Sequence, residues 1–236
     1  MHKHILAEMV TEMMKKEIGM ATKPLPEQIK TLTTDLPTGK ARFESALYQA
    51  EKLKKITISK RSLGEQDGGT VVMIVADDEY DIPFILADLA FDFAGKGRIT
   101  AGFKLKPLVM DAQSTNKYID PFLRWYREMK KLPAESVHLK VGKFLKANPA
   151  PMDYLGCISY DYIDEVLKFT EQFFDIFLGI YRNTGPVQSA QRRKKMDAFR
   201  LEYNRNIFGD DFSGKMLIKA FGRQTAELFY DYLVYL

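Results

Sequence analysis

A chain of 236 residues can form one α/β or α+β domain or two small ones, and its 46% hydrophobic and 12% aromatic content is enough for one sizeable core. A single cysteine, Cys157, excludes an internal disulfide framework and any cysteine-based metal or iron–sulfur site, and three histidines, two of them at positions 2 and 4, leave no histidine-rich one. The formal charge of +4 suits an acidic protein partner or an anionic ligand and is too small to imply nucleic acid.

No stretch is long and uncharged enough to span a bilayer. Acids interrupt the apolar run of the N-terminus, MHKHILAEMVTEMMKKE, so no export signal is inferred and a cytoplasmic monomer is expected. Residues 3–18 then read as an amphipathic helix with Ile5, Leu6, Met9, Val10, Met13 and Met14 on one stripe. Residues 20–39 contain Pro24, Pro26, Pro37 and Gly39 and read as irregular connection. Three β-type runs follow, Lys40–Tyr48, Leu53–Leu63 and Thr70–Ala76. Their spacing leaves no room for crossover helices, which makes them antiparallel.

The stretch from Pro83 to Pro107 continues this meander as a hairpin closed by Gly95-Lys96-Gly97, with Gly97 able to take a positive φ. A three-residue loop pairs Ala94 with Arg98 and Asp88 with Lys104; a two-residue loop would pair Asp88 with Phe103. In the first register one face holds Ile85, Leu89, Phe91, Phe93, Ile99, Phe103 and Leu105 and is core. The other holds Phe84, Leu86, Asp88, Ala90, Asp92, Arg98, Thr100, Lys104 and Lys106. A carboxylate thus sits mid-strand among apolar neighbours, and from the residues alone it reads as half of an Asp88–Lys104 pair.

The second half turns helical. Helices are expected over Tyr118–Met129, from a cap at Asp161 to about Tyr181, and over Val187–Asn206. Another opens at Asp210-Asp211 and stops at Gly222, and a last one runs to the C-terminus. Val137–Leu145 and Leu155–Ser159 read as strands. A sheet with helices packed on it gives an α+β, sandwich-like fold over 1–236 in a single domain, with 1–39 as N-terminal helix and connection.

The familiar motifs fail. Gly95-x-Gly97 lies between strands and lacks a third glycine, and Gly39-Lys40 and Gly214-Lys215 lack the rest of a phosphate loop. No nucleophile elbow is present, and no histidine neighbours Cys157 in sequence. The run Arg192-Arg193-Lys194-Lys195 reads as a solvated helix face, with anion or partner docking second. Protons for any reaction must therefore come from carboxylates, tyrosines or water.

Four segments together resemble the ferredoxin-dependent bilin reductases. They are ALYQAEKLKKITISKRSLG (46–64); Tyr80-x-x-Pro83 followed by Asp88 and the run to Leu105-Lys106-Pro107; Lys130-Lys131-Leu132-Pro133; and Tyr203 through Asp210-Asp211 to Lys219-Ala220-Phe221-Gly222. Their order and spacing match from about residue 41 to the C-terminus. The resemblance implies an α/β/α sandwich with a mostly antiparallel sheet, and a linear tetrapyrrole of biliverdin type held between sheet and C-terminal helices. It implies electrons delivered singly by reduced ferredoxin, with no bound flavin, nicotinamide or metal. Asp88 and Asp211 match the family's two proton-donating aspartates, Lys130 a cation for a propionate, and Tyr203 a tyrosine of the C-terminal motif.

A free aspartate titrates near ~4, and apolar surroundings or a second carboxylate raise that value. Brought together, Asp88 and Asp211 can share a proton. From the residues alone, Asp211-x-x-Gly214 also suits a helix cap. Arg98, Thr100 and Lys104 share the Asp88 face and are further candidate ligand contacts. Lys52, Lys54, Lys55, Lys60 and Arg61, near one sheet end, would suit an acidic ferredoxin or serve only solubility. Val71 stands where a family member carries a histidine beside its aspartate, Phe212 where it carries a lysine and Thr225 where it carries a tryptophan. The histidine-dependent chemistry is thereby excluded, while the bond reduced and the electron count stay open. Two rivals remain: a tetrapyrrole-binding protein without turnover, and a chlorophyll-catabolite reductase of the same superfamily.

Overall fold

The computed structural model describes residues 3–36, 39–64, 67–92, 95–137 and 142–236. Among the described residues nine strands form one antiparallel sheet: β1 (Ala21–Lys23), β2 (Thr31–Leu36), β3 (Gly39–Ala50), β4 (Leu53–Leu63), β5 (Asp67–Ala76), β6 (Phe84–Phe91), β7 (Arg98–Lys106), β8 (Ala134–Ser136) and β9 (Met152–Ser159). Their order is β1-β3-β4-β5-β6-β7-β9-β8, with β2 also paired to β3. Consecutive strands β3 to β7 are neighbours, as short connections require.

Each face of the sheet carries a helical layer. On one side α1 (Ile5–Ile18), α4 (Asp120–Met129) and α6 (Ile163–Asn183) pack on Ile85, Leu89, Phe103 and Leu105. Trp125 meets Phe103 edge-on at 5.2 Å and Phe173 at 5.1 Å, and its indole N–H donates to the Phe169 carbonyl at 2.7 Å. On the other side α7 (Ala190–Asp210), α8 (Phe212–Phe221) and α9 (Arg223–Phe229) cover Met73, Val75 and Phe84. The fold is therefore α+β, a mostly antiparallel sheet between two helical layers. Among the described residues no helix is long and apolar enough to cross a membrane.

The structure corrects several expectations. Residues 20–36 are not irregular: β1 and β2 pair with β3, and α2 (Glu27–Lys30) lies between them. Prolines 24 and 26 flank these short elements rather than interrupt them, and Ile29 and Leu32 reach the second core. Of the strand expected over Val137–Leu145, residues 138–141 lie outside the described residues and α5 (Lys143–Ala147) is helical. The helix expected from Tyr118 begins earlier, as α3 (Ala112–Ser114) capped by Asp111 and a π turn at Thr115–Ile119. Asp161 does not cap α6; Ser159 accepts a hydrogen bond from the Asp161 N–H at the preceding 3-10 turn. Arg192 is not on a solvated face, because Asp81 and Asp111 hold it.

The β6–β7 register is shifted by two residues from the expected one. Asp88 lies opposite Gly102, Leu86 opposite Lys104 and Phe91 opposite Ile99. The loop is wider because Asp92 adopts a left-handed φ of 59° and its carboxylate accepts the Gly97 N–H at 2.7 Å. A shift of two preserves side-chain alternation, so both faces keep their expected composition. Phe93 and Ala94 lie outside the described residues.

Gly69 in β5 has no room for a side chain. A Cβ there would lie 2.4 Å from the Leu89 carbonyl oxygen of β6. Gly69→Ala is therefore expected to lower unfolding stability by about 1–3 kcal/mol, since backbone must shift; urea denaturation checks this.

Candidate active site

The face of the sheet under α7–α9 carries the candidate residues. Directly paired residues of an antiparallel sheet point to the same side, so Asp88 on β6 is flanked there by Val71 of β5 and Gly102 of β7. The position next to the carboxylate is thus apolar, as the sequence pattern expected. Arg61 lies on β4 in the row Arg61–Gly69–Ala90. Gly69 has no side chain, which lets the guanidinium cross β5 and meet the Asp88 carboxylate at 2.5 Å.

About a quarter of each side chain stays open, 23% for Arg61 and 24% for Asp88. Burial nevertheless pushes the Asp88 carboxyl above the ordinary aspartate range, while the charge and hydrogen bond of Arg61 pull against that rise. An open but poorly hydrated carboxyl can hold a proton nearer neutrality than a surface aspartate.

The expected Asp88–Lys104 pair is absent. With Leu86 opposite Lys104, the lysine amine turns to Asp153, its direct partner on β9, at 3.3 Å. Arg98 is on the same face and pairs with Glu135 of β8 at 2.6 Å. Thr100 pairs with Ala90 on one side and Cys157 on the other; it is buried, and its hydroxyl has no hydrogen-bond partner.

The helical layer brings the second carboxylate. Tyr203 of α7 is buried, with its ring centroid 6.0 Å from that of Phe84 and 6.1 Å from that of Phe144. Phe84 shares the Asp88 face by strand alternation, which places Tyr203 over that face. Asp211, between α7 and α8, accepts the Ser213 N–H at 3.2 Å and the Tyr230 hydroxyl at 2.5 Å. It is therefore a helix cap and a tyrosine's partner at once. Burial, then the negative charge of Asp211, raises the Tyr203 phenol, and the same causes raise Tyr230.

Asp88 and Asp211 thus belong to the same side of the sheet but to separate networks: Arg61 engages one, Tyr230 and Ser213 the other. Among the described residues no hydrogen bond joins the two carboxylates, so the direct proton sharing expected of them is not the arrangement found. Lys130 stands apart. It is exposed just beyond α4, its amine 4.5 Å from the Tyr126 ring centroid, and α4 packs on the opposite face.

The basic patch expected at one sheet end also disperses. Lys52 donates to the Tyr181 and Thr184 carbonyls, Lys54 pairs with Asp78, Lys55 is buried and Arg61 turns to Asp88. Arg61 and Tyr230 are the two site residues that the sequence pattern did not assign. Only the register over Gly69 could have paired Arg61 with Asp88, and Tyr230 carries no local signal. No group of three or more metal-ligating side chains occurs among the described residues.

The comparisons with known proteins bear on the fold and the family. Among solved structures, phytochromobilin synthase from tomato, crystallised in complex with biliverdin, superposes with a TM-score of 0.77 over 95% of this chain and 79% of its own. At 15% identity that likeness speaks for the fold alone. No curated protein matches in sequence. The model of the ferredoxin-dependent bilin reductases matches residues 7–235, nearly the whole chain, and the protein belongs to that family.

Proposed function

We propose that the protein reduces a linear tetrapyrrole of biliverdin type with electrons from reduced ferredoxin, and that Asp88 is the principal proton donor. Each double bond reduced takes up two electrons, delivered one at a time, and two protons. Asp88 carries the reading: it is a partly open carboxyl, raised by burial, on a central strand of the sheet. A carboxyl with a raised pKa is a better acid at neutral pH than a hydrated one. Asp211, held by Tyr230, is the second donor, acting from the helical side. Arg98, Thr100, Lys104 and Tyr203 contact the ligand. The unpartnered Thr100 hydroxyl can donate to a lactam oxygen or accept from a pyrrole N–H.

The test is spectroscopic. Biliverdin added to the protein should shift its visible bands, and reduced ferredoxin added anaerobically should carry them on to product. Asp88→Asn should bind biliverdin and lose about 10²- to 10⁴-fold in turnover, the usual contribution of a general acid. Turnover at the parental rate would remove Asp88 from the mechanism. A single shift that stops at binding would mark a carrier.

A further inference from the structure

The Arg61–Asp88 contact is more than a structural pair. It crosses a whole strand to hold a carboxylate in the middle of the face, and about a quarter of each side chain stays exposed. The other cations of this face on β7 are engaged elsewhere, Arg98 by Glu135, Lys104 by Asp153 and Lys106 by the Pro149 carbonyl at 2.9 Å, while the helical layer contributes Asp211, occupied by Tyr230. Arg61 is therefore the cation whose engagement decides the charge state of Asp88. A guanidinium binds carboxylates bidentately and on a long flexible arm, so it can exchange one carboxylate for another of similar basicity.

We propose that Arg61 is an exchangeable counter-ion: it neutralises Asp88 in the ligand-free protein and moves to a carboxylate of the bound substrate, leaving Asp88 to take up one proton from solvent. Charge balances: one Arg61–Asp88 pair, one ligand carboxylate and one proton give an Arg61–ligand pair and a neutral Asp88. Ligand binding would thus load the acid before the first electron arrives. Burial already favours the neutral carboxyl, and Arg61 is what opposes it. The proposal rests on the bilin-reductase reading of this face, and its test separates the two.

Calorimetry of biliverdin binding in two buffers of different ionisation enthalpy reads the protons exchanged. Close to one proton per bilin is expected for the parent, and close to none for Asp88→Asn or for biliverdin dimethyl ester, which has no free carboxylate. Infrared difference spectra should show a protonated Asp88 carbonyl band appearing on binding in the parent, already present in ligand-free Arg61→Gln, and behaving as in the parent in Arg61→Lys. Biliverdin that binds without proton uptake, or an Arg61→Gln protein whose Asp88 stays ionised, would overturn the exchange and leave the reductase reading standing. Failure of biliverdin to bind at all would remove both.

Discussion

Arg192→Leu is expected to lose about 3–5 kcal/mol of stability, the usual consequence of removing one partner from a buried ion pair. Arg192 opens α7 and pairs with Asp81 at 2.5 Å and Asp111 at 2.8 Å; it also donates to Ser114 at 2.8 Å. Only 13% of its side chain and 6% of that of Asp81 is exposed. The leucine variant leaves the Asp81 carboxylate buried without its cation, and one of its oxygens already lacks a partner. For a chain of this size the loss corresponds to roughly 6–20 °C in Tm. Asp81→Asn in the same background should recover part of it, because the stranded charge is then gone. Thermal unfolding of the single and double variants checks both; a loss under about 1 kcal/mol would show that the cluster does not hold α7 to the sheet.

Lys55 should make stability rise with pH from about 7 upward. The residue is 6% exposed beneath the C-terminal turn Tyr230–Val234, its amine 3.5 Å from the Tyr232 carbonyl oxygen. Burial, then the charges of Lys54 and Lys23, lowers its pKa from 10.5 to about 7, against the opposing pull of Asp231. Between those values the unfolded chain binds the extra proton, so raising pH favours the folded state. Below the window both states are protonated and the penalty of burying the charge is fully present. At 1.36 kcal/mol per pKa unit the change is on the order of 4–5 kcal/mol. Lys55→Met removes the titrating group: it should be the more stable protein at pH 7, with the two curves converging toward pH 10. Curves that run parallel in urea denaturation at several pH values would contradict the lowered pKa.

Much of this architecture is written locally. Runs such as Leu53–Leu63 appear as strands with their expected bounds, because alternation and short connections dictate an antiparallel meander. The composition of the Asp88 face is also readable, since an even shift of register cannot move a side chain to the other face. The register itself was not, because the left-handed Asp92 that widens the loop has a preference common to many aspartates in turns. The β1–α2–β2 segment was hidden by its prolines, although each lies beside an element and not within it. At the candidate site, the family pattern singles out the two aspartates, and Arg61 is visible in the sequence only as one cation among several. Its partner lies 27 positions away across an intervening strand. Pairings of that kind are set by tertiary register, which no local periodicity encodes.

The sheet and the helical layer that carry the candidate residues are made at different times. Arg61, Asp88 and Thr100 belong to a meander of neighbouring strands, whereas Asp211 emerges about 120 residues after Asp88. At ribosomal rates of about 5–20 residues per second, roughly 6–25 s separate them. Throughout that interval the nascent sheet presents Met73, Val75 and Phe84 without the helices that cover them. Premature termination before α7 would release an aggregation-prone fragment, and a chaperone acting on this chain would find its client surface there.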